Sequence, residues 1–336
     1  MKYKCLGNTG LKVSELCLGT MTFGGRGFWT AIGTLKQQEA NSLVKQAVDA
    51  GINFIDTANV YSEGLSEKIT GQSIRDLGLD RNELVIATKV RGKMGDGPND
   101  SGLSRKHILQ QIDESLTRLN TDYIDLYQIH GFDPSAPMEE TMETLDMLVK
   151  NGKVRYIGCS NLAAWQVMKA KGISDRKNLS HFISLQAYYT IAGRDLERDV
   201  IPMLKDQHIG LMVWSPLAGG LLTGKFKRNL KPEEGRRVNF DFPPVNLDKA
   251  WDIVDAMQDI ADSKQVTVAQ VALAWLLYQP AVTSIIIGVR NQEQLADDLG
   301  AIDIKLTTGE LEKLDEVSKL APEYPGWMIE RQSAGR

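Results

Sequence analysis

The chain has 336 residues, 42% hydrophobic and 24% charged, with a formal net charge of −4 and three cysteines. That much apolar material offsets chain entropy and excludes a disordered protein. Mild acidity without a Lys/Arg block argues against a nucleic-acid partner, and no run of about 18 apolar residues is present to span a membrane. The first residues lack the apolar run of a signal peptide. Cys5, Cys17 and Cys159 are odd in number and form no Cys-x-x-Cys, which favours free thiols and a reducing, cytoplasmic compartment. His107, His130, His181 and His208 stand at no metal-ligand spacing from one another, so no metal is expected. Length alone allows two domains, or one α/β barrel of roughly 250 residues with additions.

Residues 4–13 read as a hairpin around Gly7-Asn8-Thr9-Gly10, placed to plug one end of a barrel. Short apolar runs at 16–19, 53–56, 84–89, 124–130, 154–160, 183–187, 210–214 and 284–288 read as eight strands. Helical faces lie between them. Ala40, Leu43, Val44, Ala47 and Val48 share one stripe, as do Ile108, Ile112, Leu116 and Leu119, and Met138, Met142, Leu145, Leu148 and Val149. Asn151-Gly152 stops the last of these. Thr267 with Gln270, and Thr307 with Glu310, have capping-box spacing. The long gap before the last strand holds a polar stretch, 225–246, then an extra helix carrying Leu247, Trp251, Val254 and Ala261. Strands alternating with helices form either an open doubly wound sheet or a closed barrel. The count of eight favours a (β/α)8 TIM barrel over residues 1–336 as one domain, with an N-terminal β-hairpin, an extra helix after strand seven and a C-terminal extension.

In such a barrel, chemistry sits at the C-terminal strand ends. The second strand ends in Asp56, with Tyr61 on the loop beyond. The third ends in Lys89, the fourth in Gln128-Ile-His130. Singly, each has an ordinary reading: a packing tyrosine, a solvated lysine, a structural histidine. Together, at successive strand ends, they converge, because a buried Asp or Lys is costly to desolvate unless paired. A tyrosine hydroxyl ionises at about pH 10, and a neighbouring ammonium favours the phenolate. Asp56 would anchor Lys89, and neutral His130 would donate to a substrate oxygen. That set suits carbonyl reduction, with a proton from Tyr61.

These residues stand in fragments that resemble the aldo-keto reductase family: Gly51-Ile-Asn-Phe-Ile-Asp56-Thr-Ala-Asn-Val-Tyr61, Ala87-Thr-Lys89, Gln128-Ile-His130, Ile157-Gly-Cys-Ser160-Asn161, Trp214-Ser-Pro-Leu-Ala-Gly-Gly-Leu-Leu-Thr-Gly-Lys225 and Ile286-Ile-Gly288-Val-Arg290. The resemblance runs almost end to end and implies a β/α barrel that binds NADP(H) without a Gly-x-Gly-x-x-Gly loop. It assigns Tyr61 as general acid/base, with Asp56, Lys89 and His130 as partners. It gives the nicotinamide carboxamide to Ser160, Asn161 and Gln186, and the nicotinamide face to Trp214, where many members carry Tyr. It places the pyrophosphate under Leu217, Gly219, Gly220, Leu221, Thr223, Gly224 and Lys225. Gly288, Arg290, Gln294, Asp297 and Asp298 are implied at the adenosine end. Gly19, Thr20, Met21, Asp56, Ser215, Pro216 and Ile287 complete the implied cofactor contacts. Arg290 suits a 2′-phosphate. Asp298 departs from the Asn of many members and puts a carboxylate near that phosphate, so NAD(H) stays open beside NADP(H).

The leading expectation is an NADPH-dependent carbonyl reductase of aldehydes or ketones, acting reversibly. Trp29 and Phe132 are candidates for the substrate pocket. Residues 22–34, the loop after His130, 225–246 and the C-terminal segment, where Trp327 would fold back over the barrel, are where substrate choice is expected. Loop 225–246 is expected to close over the cofactor. An NADPH-binding regulatory subunit of potassium-channel β type is the alternative; the short run ahead of the hairpin is expected to leave no arm for a partner. A metal-dependent barrel hydrolase needs clustered strand-end ligands, and only Asp56 and His130 would qualify. Nothing in the residue types sets an oligomeric state.

Overall fold

The structure is a computed structural model that describes residues 1–226, 228 and 236–334. Strands β1 (Tyr3–Cys5) and β2 (Lys12–Ser14) pair antiparallel, with Tyr3 opposite Ser14. Eight parallel strands then close on themselves: β3 (Leu16–Gly19), β4 (Phe54–Asp56), β5 (Val85–Val90), β6 (Ile124–Ile129), β7 (Val154–Ser160), β8 (Phe182–Tyr188), β9 (Gly210–Trp214) and β10 (Val282–Ile287), with β10 against β3. The barrel and its hairpin are therefore as the sequence implies, with strand ends moved by a residue or two. His130 falls just past β6, where its backbone N–H donates to Val90 O at 2.9 Å.

The alternation of strand side chains builds two cores. One lies between strands and helices and takes in Ile55, Ile86, Tyr127, Ile157, Leu185 and Val213. The other fills the lower barrel: Leu6, Val13, Cys17, Phe54, Val85, Leu126, Met212 and Ile286. The hairpin is the floor of this inner core. Leu6 and Val13 are fully buried in it, and Lys4 Nζ donates to Val282 O at 2.8 Å. Gly7 has φ +60°, and a Cβ there would sit 2.3 Å from Ile183 O, so only glycine lets the hairpin seat this closely. Two residues further up β4, β5 and β6 the inward positions turn polar: Phe54 gives way to Asp56, Ala87 to Lys89 and Leu126 to Gln128. An apolar floor thus lies beneath a polar mouth.

Helices α1 (Gln37–Asp49), α2 (Leu65–Asp76), α3 (Arg105–Leu119), α4 (Met138–Lys150), α5 (Ala164–Lys177) and α6 (Val200–Asp206) follow successive strands. Each amphipathic stripe is buried as its spacing requires; in α1 it is Ala40, Leu43, Val44 and Ala47. Each such Leu or Val contributes about 1.5–3 kcal/mol. After β9 come a single turn, α7 (Arg236–Asn239), then the extra helix α8 (Leu247–Lys264) and α9 (Val268–Leu277). Both expected capping boxes form, Thr267 with Gln270 and Thr307 with Glu310. Helices α10 (Gln292–Gly300), α11 (Thr308–Ser318) and α12 (Gly326–Ser333) complete the described chain. In α12, Trp327 meets Tyr324 edge to face and stays 41% exposed. Residues 227 and 229–235 of the segment expected to close over a cofactor lie outside the described residues. No helix among the described residues is long and apolar enough to cross a membrane.

Candidate active site

Register brings the polar mouth together: Asp56 pairs with Ala87 on β5, and Lys89 with Gln128 on β6. Lys89 is fully buried and Asp56 nearly so. The ammonium has three N–H groups and three partners. Nζ donates to Asp56 Oδ2 at 2.5 Å, to Thr57 O at 2.9 Å and to the Tyr61 hydroxyl at 3.4 Å. The other carboxylate oxygen, Asp56 Oδ1, accepts from Gln128 Nε2 at 3.0 Å and Gln186 Nε2 at 2.9 Å. Such pairing makes a buried charge tolerable. Burial disfavours the charged form of Lys89, but the Asp56 carboxylate and Tyr61 outweigh it, so the lysine is held above its ordinary value. It remains an ammonium at neutral pH.

Tyr61 is presented by an unusual turn. Ser62, Glu63 and Gly64 follow it with φ of 50°, 56° and 85°. A left-handed non-glycine residue costs roughly 1–2 kcal/mol. The turn is pinned: Ser62 Oγ donates to Phe23 O at 3.1 Å and accepts from Gly25 N at 2.9 Å. His130 stands edge to face with Tyr61, ring centroids 5.7 Å apart. Removal from water, then the charges of Lys89 and Arg91, push the imidazole down from 6.5 to about 3. It is neutral and can donate one N–H. The arrangement therefore offers a hydroxyl beside a fixed ammonium and a neutral imidazole: a proton donor and a stabiliser of developing oxyanion charge.

Most of the expected cofactor residues lie at the strand ends and loops from β7 round to β10, with Gly19, Thr20 and Asp56 at β3 and β4. Asn161, at φ +58°, donates through Nδ2 to Ser160 Oγ at 3.0 Å and His130 O at 3.3 Å, and accepts at Oδ1 from Trp214 Nε1 at 2.9 Å. Gln186 turns its amide nitrogen inward to Asp56, away from the role of a free donor. Past β9, Ser215, Ala218, Gly219, Gly220 and Gly224 all have positive φ, and Ser215 Oγ accepts from Gly219 N at 3.1 Å. Thr223 Oγ1 donates to Gly220 O, while the Leu221 side chain is buried in the core. A Cβ at Gly220 or Gly288 would meet nothing within 4 Å. Gly19 is different: a Cβ there would be 2.7 Å from Ile286 Cγ2, so its role is close strand packing. The Thr20 hydroxyl is turned to Ser66 at 2.9 Å. At the far end Gln294 Oε1 accepts from Arg290 N at 2.9 Å, and Arg290 Nη2 reaches Ile32 O at 3.1 Å. Asp297 accepts from Thr267 Oγ1 at 3.0 Å. Burial, then neighbouring Asp297, raise the Asp298 carboxyl from 3.8 to about 7. It therefore carries only part of a negative charge near neutrality.

A run of rings lines the mouth. Trp29 meets Tyr61 at 5.1 Å, Phe28 meets Trp29 at 5.6 Å and Phe240 at 5.4 Å, and Phe240 meets Phe242 at 5.5 Å. Phe242 lies parallel to Trp214, at 5.8 Å and 7°. Trp29 thus reaches the site, whereas Phe132 packs against Trp165 at 6.0 Å. Sequence reasoning misses Gln128, Phe28, Phe240 and Phe242. Gln128 has a signal: it stands two residues before His130 and shares its inward face. The phenylalanines lie in the loops 22–34 and 225–246 expected to set substrate choice, but nothing local in the chain says that these two loops meet.

A barrel mouth with this Asp-Tyr-Lys-His set defines a class of oxidoreductase. The aldo/keto reductase family model matches residues 15–319, and the chain belongs to that family. A protein of Arabidopsis thaliana named "probable voltage-gated potassium channel subunit beta" is 38% identical, covering 97% of this chain and 99% of its own. An uncharacterised oxidoreductase of Bacillus subtilis is 38% identical over 94% of this chain and 96% of its own. A versiconal hemiacetal acetate reductase of Aspergillus parasiticus is 35% identical over 97% and 99%.

Proposed function

We propose that this chain is a cytoplasmic, single-domain NADPH-dependent carbonyl reductase that converts aldehydes or ketones to alcohols, reversibly. The observation that carries the reading is the Lys89 ammonium, buried between the Asp56 carboxylate and the Tyr61 hydroxyl. The stretch from β7 round to β10 is where a dinucleotide would lie. At Gly220 and Gly288 the chain leaves open space beside the backbone, which supports close approach of a ligand there. Ser160, Asn161 and Trp214 would hold the nicotinamide end, residues 217–225 the pyrophosphate, and Arg290 with Gln294 the adenosine end. A reduced nicotinamide bound there would supply the hydride. The chain does the rest. Tyr61 and His130 aim two donors at the carbonyl oxygen, Tyr61 releases its proton to that oxygen, and Lys89 stabilises the phenolate left behind. Asp56, held by Gln128 and Gln186, keeps Lys89 in place. Arg290 favours a 2′-phosphate, and partial protonation of Asp298 softens the charge opposing it; NADH remains a weaker alternative.

NADPH oxidation with a panel of aldehydes and ketones tests this. Turnover by the wild type and loss of it in Tyr61→Phe are expected, and a Tyr61→Phe enzyme with full turnover would overturn the proton-donor role. The Arabidopsis relative's name supports a second reading, a nucleotide-binding regulatory subunit. Tight NADPH binding with negligible turnover on every carbonyl would favour it.

A further inference from the structure

Outside the barrel wall, behind the site, lies a second buried charge cluster. Glu67 in α2 is fully buried, and the side chain of Arg118, in the last turn of α3, is 10% exposed. Arg118 Nε donates to Glu67 Oε2 at 2.6 Å. Thr88 Oγ1 donates to Glu67 Oε1 at 2.5 Å. Arg118 Nη1 and Gln111 Nε2 both donate to Glu114 Oε2, at 3.0 and 2.9 Å. Gln111 Oε1 in turn accepts from Asn59 Nδ2 at 2.9 Å. None of these groups faces the reacting atoms.

The cluster grips the catalytic segments at three points. Thr88 immediately precedes Lys89, so Thr88 points out to Glu67 while Lys89 points into the barrel. Asn59 lies two residues before Tyr61, and its backbone N–H donates to Lys89 O at 3.2 Å. Gly64 ends the left-handed turn after Tyr61, and the Arg118 stem packs where its Cβ would be, with Cδ 2.7 Å from that position. A buried ion pair is weak evidence for stability, since well-packed apolar side chains often do as well. What charged hydrogen bonds add is direction.

We propose that the Glu67–Arg118 pair is a positioning unit, which holds the Tyr61 turn and the end of β5 in register so that the phenol stays in hydrogen-bond reach of the Lys89 ammonium. This rests on the reading of Tyr61 as proton donor. The pair touches no substrate and acts only through Tyr61 and Lys89.

The test compares wild type with Glu67→Met/Arg118→Met, which removes both buried charges and leaves Glu114, 40% exposed, to solvent, and with each single change. The double variant is expected to fold with a Tm near wild type. Its kcat should fall about 10- to 100-fold, the scale of a small misplacement of reacting groups. KM for NADPH should stay within about twofold, since ground-state binding is untouched. The basic limb of its rate profile should move to higher pH, because the phenolate loses its ammonium. In a Tyr61→Phe background the same double change should cost nothing further. A double variant with wild-type kcat and pH profile would reduce the pair to scaffold. If the charge variants fail to fold, Asn59→Ala and Thr88→Val cut the neutral ends of the cluster. Several-fold lower kcat supports the proposal and unchanged kcat overturns it. If the wild type reduces no carbonyl, the reading of function fails, and the positioning unit is judged separately by ultraviolet difference titration of the Tyr61 phenol. A titration displaced in the double variant supports it; an unmoved one overturns it.

Discussion

The two sides of the barrel mouth are built in opposite ways. On the side of β4, β5, β6 and β8, side chains answer side chains: Asp56, Lys89, Gln128, Gln186 and Tyr61 hold one another in a buried set. On the side of β9 and β10, backbone does the shaping. Left-handed residues turn the chain after β9, Gly220 and Gly288 leave open space, and Arg290 and Lys225 are exposed. The difference teaches that charge pairing and shape can be separated within one site. Proton chemistry should depend on the first side, and nucleotide affinity on the second.

The sharpest way to break that division is Tyr61→Phe. Turnover is expected to fall about 10²- to 10⁴-fold, the usual worth of a positioned acid, while NADPH affinity by fluorescence titration stays at wild type. A matching loss of affinity would show that the two sides are not separate. Lys89→Met comes next. It should cost about 3–5 kcal/mol of stability in urea unfolding, because Asp56 is left as an uncompensated buried charge, together with most of the turnover. Arg290→Ala tests the other side. NADPH Kd is expected to rise about 10-fold through loss of a charge-assisted hydrogen bond, with NADH Kd and kcat unmoved.

The smallest effect concerns pH. His130 is held near 3 against an ordinary 6.5, so it should add no limb to the rate profile near 6.5. Between those values the unfolded chain takes up a proton that the folded chain does not. The contribution to stability is therefore complete above 6.5 and drains away as pH falls toward 3. Replacing His130 with Gln should flatten that fall, as read from urea midpoints across a pH series.

Much of the catalytic side is legible in the chain. Asp56, Lys89 and His130 each end or follow an apolar run, and a costly residue in such a place signals use. The family resemblance gives Gln186 to the nicotinamide, yet its amide nitrogen is committed to Asp56. That direction depends on a carboxylate 130 positions away in the chain. Gln128 stands inside a family motif without an assigned role for the same reason. The ring contacts between Phe28 and Phe240, and between Trp214 and Phe242, are not legible at all.

What the sequence determined by itself is what local burial patterns encode: eight strands, the helices between them, their caps, and which residues crown the strands. Period and propensity act over a few residues, so they can be read without a fold. The tertiary structure alone decided partners. Closure of the barrel set the register that aims two glutamines at Asp56, laid α2 and α3 side by side so that Glu67 meets Arg118, and folded two remote loops into one aromatic rim. Those contacts join residues with no shared local pattern, and they appear only once the chain has closed.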